Sequence, residues 1–234
     1  MSFIGRMFGK SVRLPPERQR RLDAWRALDE PDPGSAHSLL RFVVVDVEAS
    51  GLDVHGDRLI AIGAVAIDAS RIVYEKNFHA VLRQDRASSV GNILLHGIGG
   101  SAQTGGEDPA EVLLRFLEFI GKSPLIGFHT PFDESMIRKA MRKYLGEEFK
   151  RVWLDLAWLA PALEPEHAKK LKNLDDWTGA FHIVNLRRHD ALSDALATGQ
   201  VFQILQHRAA AKGLHSAFDL IEAARSQEWR AKRR

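Results

Sequence analysis

Cysteine is missing from this chain of 234 residues. That excludes disulfides, thiolate-bound zinc and cysteine nucleophiles, and it suits a reducing compartment. Long apolar runs are missing as well. None approaches the roughly 20 residues that a membrane span requires, so no membrane association is expected. The first 26 residues carry Arg6, Lys10, Arg13, Arg18, Arg20 and Arg21 but lack the apolar core and cleavage site of a signal peptide. They read as a cytoplasmic extension, with a basic targeting presequence as the alternative. Charge of one sign is scarce too: 33 Lys and Arg against 30 Asp and Glu leave a net +3, a mild lean toward polyanions. No internal repeats occur. With 45% hydrophobic and 27% charged residues, the composition is that of a soluble globular protein able to bury a core without staples. The length fits one large domain with extensions, or at most two small ones.

What is present centres on Phe42-Val-Val-Val-Asp46-Val-Glu48-Ala-Ser-Gly51-Leu52. Three consecutive valines are the composition of a strand buried on both faces. Asp46 and Glu48, two apart at its end, leave the same face of the sheet. Two adjacent carboxylates repel each other unless a hard divalent cation lies between them. The competing reading is a solvated strand edge.

Residues 58–68 read as a second, strongly apolar strand and 71–82 as a third. Short turns make the three an antiparallel meander with the first strand at the centre of the sheet. Residues 88–106 form a glycine- and serine-rich loop, interrupted by 93–98. Asp108-Pro109 opens a helix with Val112, Leu113, Phe116, Leu117 and Ile120 on one stripe. After a short strand at 124–128, Thr130 is placed to cap a helix carrying Asp133 in its first turn. Residues 152–163 read as a strand end leading into a helix, and 171–181 and 189–207 as further helices. The last five residues read as a frayed basic tail.

Upstream, residues 15–28 place Leu22, Trp25 and Leu28 at helical spacing among arginines, ahead of a breaker at 31–35. The arginines are either a solvated face or a face offered to a phosphate backbone. The implied domains are a basic extension at 1–38, a catalytic unit at 39–207 and a helical basic tail at 208–234. Strands first and helices after make the fold class α/β, a mixed sheet flanked by helices.

Four acids stand out because each is embedded in apolar sequence: Asp46, Glu48, Asp133 and Asp194. An acid in a first helical turn needs no further reason, and Asp194 on an inward stripe calls for a partner such as an arginine or a metal.

At this point the sequence resembles a known family. Residues 42–52 with Ile62-Gly63-Ala64-Val65, then Gly127-Phe-His129-Thr-Pro-Phe-Asp133, then His189-Asp-Ala-Leu-Ser-Asp194, are similar to the three ordered motifs of the DEDD exonucleases. The likeness is to the histidine-bearing branch typified by the bacterial DNA polymerase III epsilon subunit, and it spans about residues 39–207. It implies a ribonuclease H-like fold and a 3′–5′ exonuclease using two Mg²⁺ or Mn²⁺ ions. Asp46, Glu48, Asp133 and Asp194 would be the ligands and His189 the general base. Val47, Gly51, Leu52, His96 and His129 would meet the 3′ end, with Leu52 wedged against the last base. DNA, single-stranded, is the expected substrate. A processing exoribonuclease or a non-catalytic nucleic-acid-binding module are the alternatives.

Three positions depart from the pattern. His129 stands where the family usually has asparagine, Ala61 where an acid is frequent, and Gly91 where the proofreading subunit has an acid near the substrate. No long C-terminal tail of the polymerase-tethering kind is seen, which favours a stand-alone nuclease over one with a polymerase partner.

Overall fold

The computed structural model describes residues 12–233; Arg6, Lys10 and the final Arg234 of the basic ends lie outside the described residues. Five strands form one sheet in the order β3-β2-β1-β4-β5. β1 (Phe42–Ala49), β2 (Leu59–Asp68) and β3 (Arg71–Val81) are the antiparallel meander, and β1 is the central strand. β4 (Leu125–Gly127) and β5 (Trp153–Asp155) continue the sheet in parallel on its other side.

Alternation along β1 sorts the molecule into two layers. Val43, Val45 and Val47 face a core shared with α1 (Pro16–Arg26), α4 (Pro109–Ile120) and α5 (Pro131–Leu145). Phe42 and Val44 face the opposite core, built with α6 (Leu156–Leu163), α7 (Leu174–Ala180), α8 (Ala191–Ala211) and α9 (Ala217–Ala231). Asp46 and Glu48 continue the Phe42 and Val44 row, so they emerge on the α8 side. Two short helices, α2 (Val90–His96) and α3 (Gly100–Thr104), occupy the glycine- and serine-rich stretch.

The α8 layer approaches the sheet closely because β2 is narrow where they cross. Gly63 sits opposite Asp46 and Ala61 opposite Glu48 in the strand register. A methyl group built on Gly63 would lie 2.2 Å from the backbone of Ala191 and Leu192. Only glycine permits that approach. The family acid replaced by Ala61 would have to stand at a fully buried position beside Glu48.

Arg18, Arg21 and Arg26 of α1 serve the fold, while Arg20 is exposed. Leu22 and Trp25 are buried, each contributing roughly 1.5–3 kcal/mol, while Leu28 is exposed. Arg21 bonds both Glu111 and Glu118 of α4 at 2.7–2.9 Å. Arg18 pairs with Asp108, and Arg26 with Asp23 and Glu147. These three are therefore neither a solvated face nor free for phosphate. The breaker that follows is stitched to the α8–α9 turn: Ala36 bridges Ser216, and Gln206 donates to the His37 carbonyl. At the C-terminus α9 packs on α6 through Leu220 and Ile221 and continues to Ala231.

Thr130 does not cap α5 with its side chain; it is already helical, with φ −52° and ψ −23°. The acceptor at this helix start is Asp155 at the end of β5. It takes the amides of His129 (2.9 Å), Thr130 (3.1 Å) and Ala157 (2.9 Å), tying the start of α5 to the start of α6.

Candidate active site

A cleft of about 220 Å³ opens at the carboxyl end of β1 and β4. Asp46, Glu48, His129, Arg188, His189 and Asp194 are among its walls. Carboxylate oxygens of Asp46, Glu48 and Asp194 all lie within 4.8 Å of one another. Asp133 stands outside that group because it arrives from the other layer, on the first turn of α5. Its charge still reaches the cluster.

The electrostatics follow from crowding. Burial raises Asp46 well above the ordinary carboxylate range, and repulsion from Asp133, Asp194 and Glu48 adds to it. Glu48 is pushed up to about 8 by burial, with Asp194, Asp190 and Asp133 contributing. Burial also carries Asp133 to about 8, against the pull of its own amide and that of Val47 and with help from Asp155. Carboxylates assembled this way favour protons or a cation.

In the structure a cation is supplied by the chain itself. Arg188 donates to Asp194 and also pairs with Asp175 of α7. Its charge lowers the pKa of both Asp46 and Glu48. Asn185 donates to the other oxygen of Asp194, and the His189 amide donates to the oxygen that Arg188 uses, at 3.1 Å. The arginine partner foreseen for Asp194 is thus Arg188. Its signal in the sequence was only adjacency to His189. Asp155 has a signal of its own in the sequence: an acid closing the apolar run Trp153-Leu154 repeats the pattern of Asp46.

His189 (φ +61°) and His129 (φ +62°) both hold left-handed backbone, which is uncommon for a residue with a side chain. Both line the cleft. Val47 lines it as well. Leu52 is 86% exposed beyond β1. Gly51 lies against Asp57, whose carboxylate would be 2.4 Å from an added methyl group. His96 is placed differently. It is buried, Nδ1 accepts from the Ile98 amide at 2.9 Å, and Nε2 meets Asn92 Oδ1 at 2.8 Å. Both ring nitrogens are engaged internally, so in this arrangement the ring holds the α2–α3 turn, with Gly97 left-handed at φ +72°, and offers no free nitrogen to a ligand. Gly91 is open, with nothing near the position of a side chain.

The donor set fits hard divalent cations: three close carboxylates in a concave, electron-rich site, with no thiolate in the chain.

Fold and cleft together define a ribonuclease H-like exonuclease architecture. Solved structures of exonuclease I share it, among them ones of the Escherichia coli enzyme. One, describing how processivity is achieved, superposes with a TM-score of 0.65 at 20% identity, covering 74% of this chain and 42% of the other. Another, in complex with a dT13 oligonucleotide, gives 0.64 at 21%, again over 74% and 42%. The family model RNase_T, described as Exonuclease, matches residues 43–202. The DNA polymerase III subunit epsilon of Aquifex aeolicus is 30% identical over 161 residues, 69% of this chain and 78% of that one. The PolC-type DNA polymerase III of Thermotoga petrophila is 32% identical over 161 residues, 69% of this chain and 11% of the polymerase. The chain thus spans about a tenth of the PolC-type relatives that it matches. This chain belongs to the RNase T/DnaQ-like family of 3′–5′ exonucleases, metal-dependent hydrolases of phosphodiester bonds. No helix among the described residues is long and apolar enough to cross a membrane.

Proposed function

We propose that this chain removes nucleotides from free 3′ ends, of single-stranded DNA in preference to duplex or RNA, as a DEDDh enzyme loading two Mg²⁺ or Mn²⁺ ions. The observation that carries this is the meeting of Asp46, Glu48 and Asp194 within 4.8 Å from distant parts of the chain, with Asp133 charging the same site and His189 on its wall. Asp46, Glu48, Asp133 and Asp194 would hold the ions. When bound, these supply positive charge where the reaction builds negative charge, on the phosphoryl oxygens and the leaving 3′ oxygen.

The protein's own part is proton management and orientation. A ring nitrogen of His189 takes the proton from the attacking water, the part of a general base. Its backbone amide donates a hydrogen bond to Asp194, which holds residue 189 at the wall of the acid cleft. Attack forms the new P–O bond and breaks the bond to the 3′ oxygen, which leaves as an alkoxide and takes its proton from solvent water, while His189 passes the proton it took to solvent. Leu52 and the backbone at Val47 and Gly51 would seat the terminal nucleotide. His96 would act through the turn it braces, and His129 would line the path of the next nucleotide. The working unit is residues 39–207, with the flanking segments 1–38 and 208–234 contributing the docked helices α1 and α9.

The test is release of mononucleotides from a 5′-labelled oligonucleotide with Mg²⁺ or Mn²⁺. Wild type is expected to shorten the strand from its 3′ end and Asp46→Ala to be inert. Equal behaviour of the two proteins with both metals overturns the reading and leaves a non-catalytic binding module. Faster loss of RNA than of single-stranded DNA would replace the substrate assignment with the exoribonuclease one.

A further inference from the structure

A second groove, about 370 Å³, runs beside the acid cleft. Its walls are α6, the turn before α7, and α9, presenting Trp158, Lys169, Lys172 and Arg230. The two clefts adjoin: His129 lines both, and Lys172 of the groove is followed directly by Asn173 and Leu174 of the acid cleft.

The charges here differ in kind from those of three arginines on α1. Arg18, Arg21 and Arg26 are held by carboxylates. Among the described residues Lys169, Lys172 and Arg230 form no ion pair. Lys172 donates to the Ala168 carbonyl and Arg230 to the Gln227 side chain, both neutral acceptors. Three basic side chains without counter-charges, around a half-buried tryptophan, are the components of a single-strand track, in which cations follow the phosphates and an aromatic face takes a base. Polarity along the path supports the same occupant. The acid cleft repels a bare phosphate, so a strand whose end lies there needs its grip on neighbouring phosphates from elsewhere, and this groove is the adjoining basic surface. Its far wall, α9, lies beyond residue 202, where the family match ends.

We propose that this groove binds the nucleotides next to the 3′ end of a single-stranded nucleic acid. Lys169, Lys172 and Arg230 hold their phosphates and Trp158 stacks on a base. The proposal rests on the nuclease reading for the position of the 3′ end, but not for binding itself.

The experiment compares the full-length wild type with the triple variant Lys169→Ala, Lys172→Ala, Arg230→Ala and with Trp158→Ala. Binding of fluorescein-labelled dT12 is followed by anisotropy in EDTA buffer across a salt series. The slope of log affinity against log salt is expected to shrink by about 2 in the triple variant, from about 0.7 per phosphate contact. Trp158→Ala is expected to weaken binding by about 10-fold through lost stacking. In the metal-dependent assay, KM of wild type is expected to fall as the substrate grows from dT3 to dT12. The triple variant should lose most of that gain, with KM affected far more than kcat. Unchanged melting temperature and Mn²⁺ affinity establish that fold and acid cluster survive. A triple variant with the wild-type salt slope and length dependence overturns the proposal. If wild type cleaves nothing, the nuclease reading fails and the anisotropy slopes alone decide on the groove.

Discussion

Gly63→Ala is the sharpest probe of how the acid cluster is assembled. Gly63 lies opposite Asp46 in the sheet, and the first turn of α8 rests on it. The added methyl carbon would sit 2.2 Å from the Ala191 carbonyl carbon and the Leu192 nitrogen, and 2.4 Å from the Ala191 oxygen. Non-bonded carbon prefers about 3.5–4.0 Å, so backbone on both sides must part by about 1 Å. No flexible side-chain tip is present to absorb it. Overpacking of this kind costs about 1–3 kcal/mol. For a chain of this length that lowers the melting temperature by roughly 2–12 °C. The larger effect is on chemistry, because the displaced turn carries Asp194 and directly follows His189. A shift of about 1 Å in such a constellation lowers turnover by roughly 100-fold, and Mn²⁺ affinity, read by isothermal titration calorimetry, should weaken with it. Gly199→Ala on the same helix is the control. Its methyl would lie 3.4–3.6 Å from Ile72, Val44 and Val65, ordinary contact, and removing a mid-helix glycine is worth up to about 1 kcal/mol. It should leave activity intact and hold or raise the melting temperature. A Gly63→Ala protein with wild-type stability and Mn²⁺ affinity would refute the close-approach reasoning.

Three further outcomes follow from the same geometry. Glu48 and Asp133 titrate near 8 when folded and near 4 when unfolded, so over that window the metal-free folded state binds more protons and its stability falls as pH rises. A cation binds the deprotonated acids; the rise in melting temperature on adding Mn²⁺ should therefore grow from pH 6 to pH 9, and a rise independent of pH would contradict the shifts. Arg188→Ala removes the guanidinium that competes for Asp194, and Mn²⁺ is expected to bind about tenfold tighter in calorimetry; weaker binding would show that Arg188 chiefly holds the carboxylate in place. Asp155→Ala unties three backbone amides and should lower unfolding free energy by about 2 kcal/mol in urea titrations, with turnover falling as the His129 turn loosens; loss of stability with full turnover would confine Asp155 to a structural role.

The meander and the central strand were legible because they are written in local pattern: three valines, short turns, alternation. The acids were legible for a related reason, since charge inside apolar sequence is conspicuous wherever the chain later carries it. What stayed hidden depends on meetings between distant segments. Nothing around Arg21 indicates that Glu111 and Glu118 wait on α4. Thr130 has the residue type of a helix cap, yet its backbone enters the helix early and Asp155, on another strand, takes the amides instead. His96 looked available because its ring has no assigned partner in sequence, whereas Asn92 and the Ile98 amide reach it once α2 forms.

The two histidines at the cleft are held by one device. Each sits in left-handed backbone, a conformation that costs about 1 kcal/mol or more for such a residue. Each donates its amide to a carboxylate rooted elsewhere: His189 to Asp194 on α8, His129 to Asp155 on β5. The conformation is offset by charge-assisted hydrogen bonds that exist only when the sheet end and both helix starts are assembled. Arg188 bears on one latch alone, through Asp194, because Asp155 is held by neutral amides. Exchange of Arg188 for a metal ion at Asp194 would therefore be felt at His189 and not at His129. In the proposed mechanism the His189 side of the cleft would in this way be coupled to cation loading, while the His129 side, which also lines the second groove, would keep its shape.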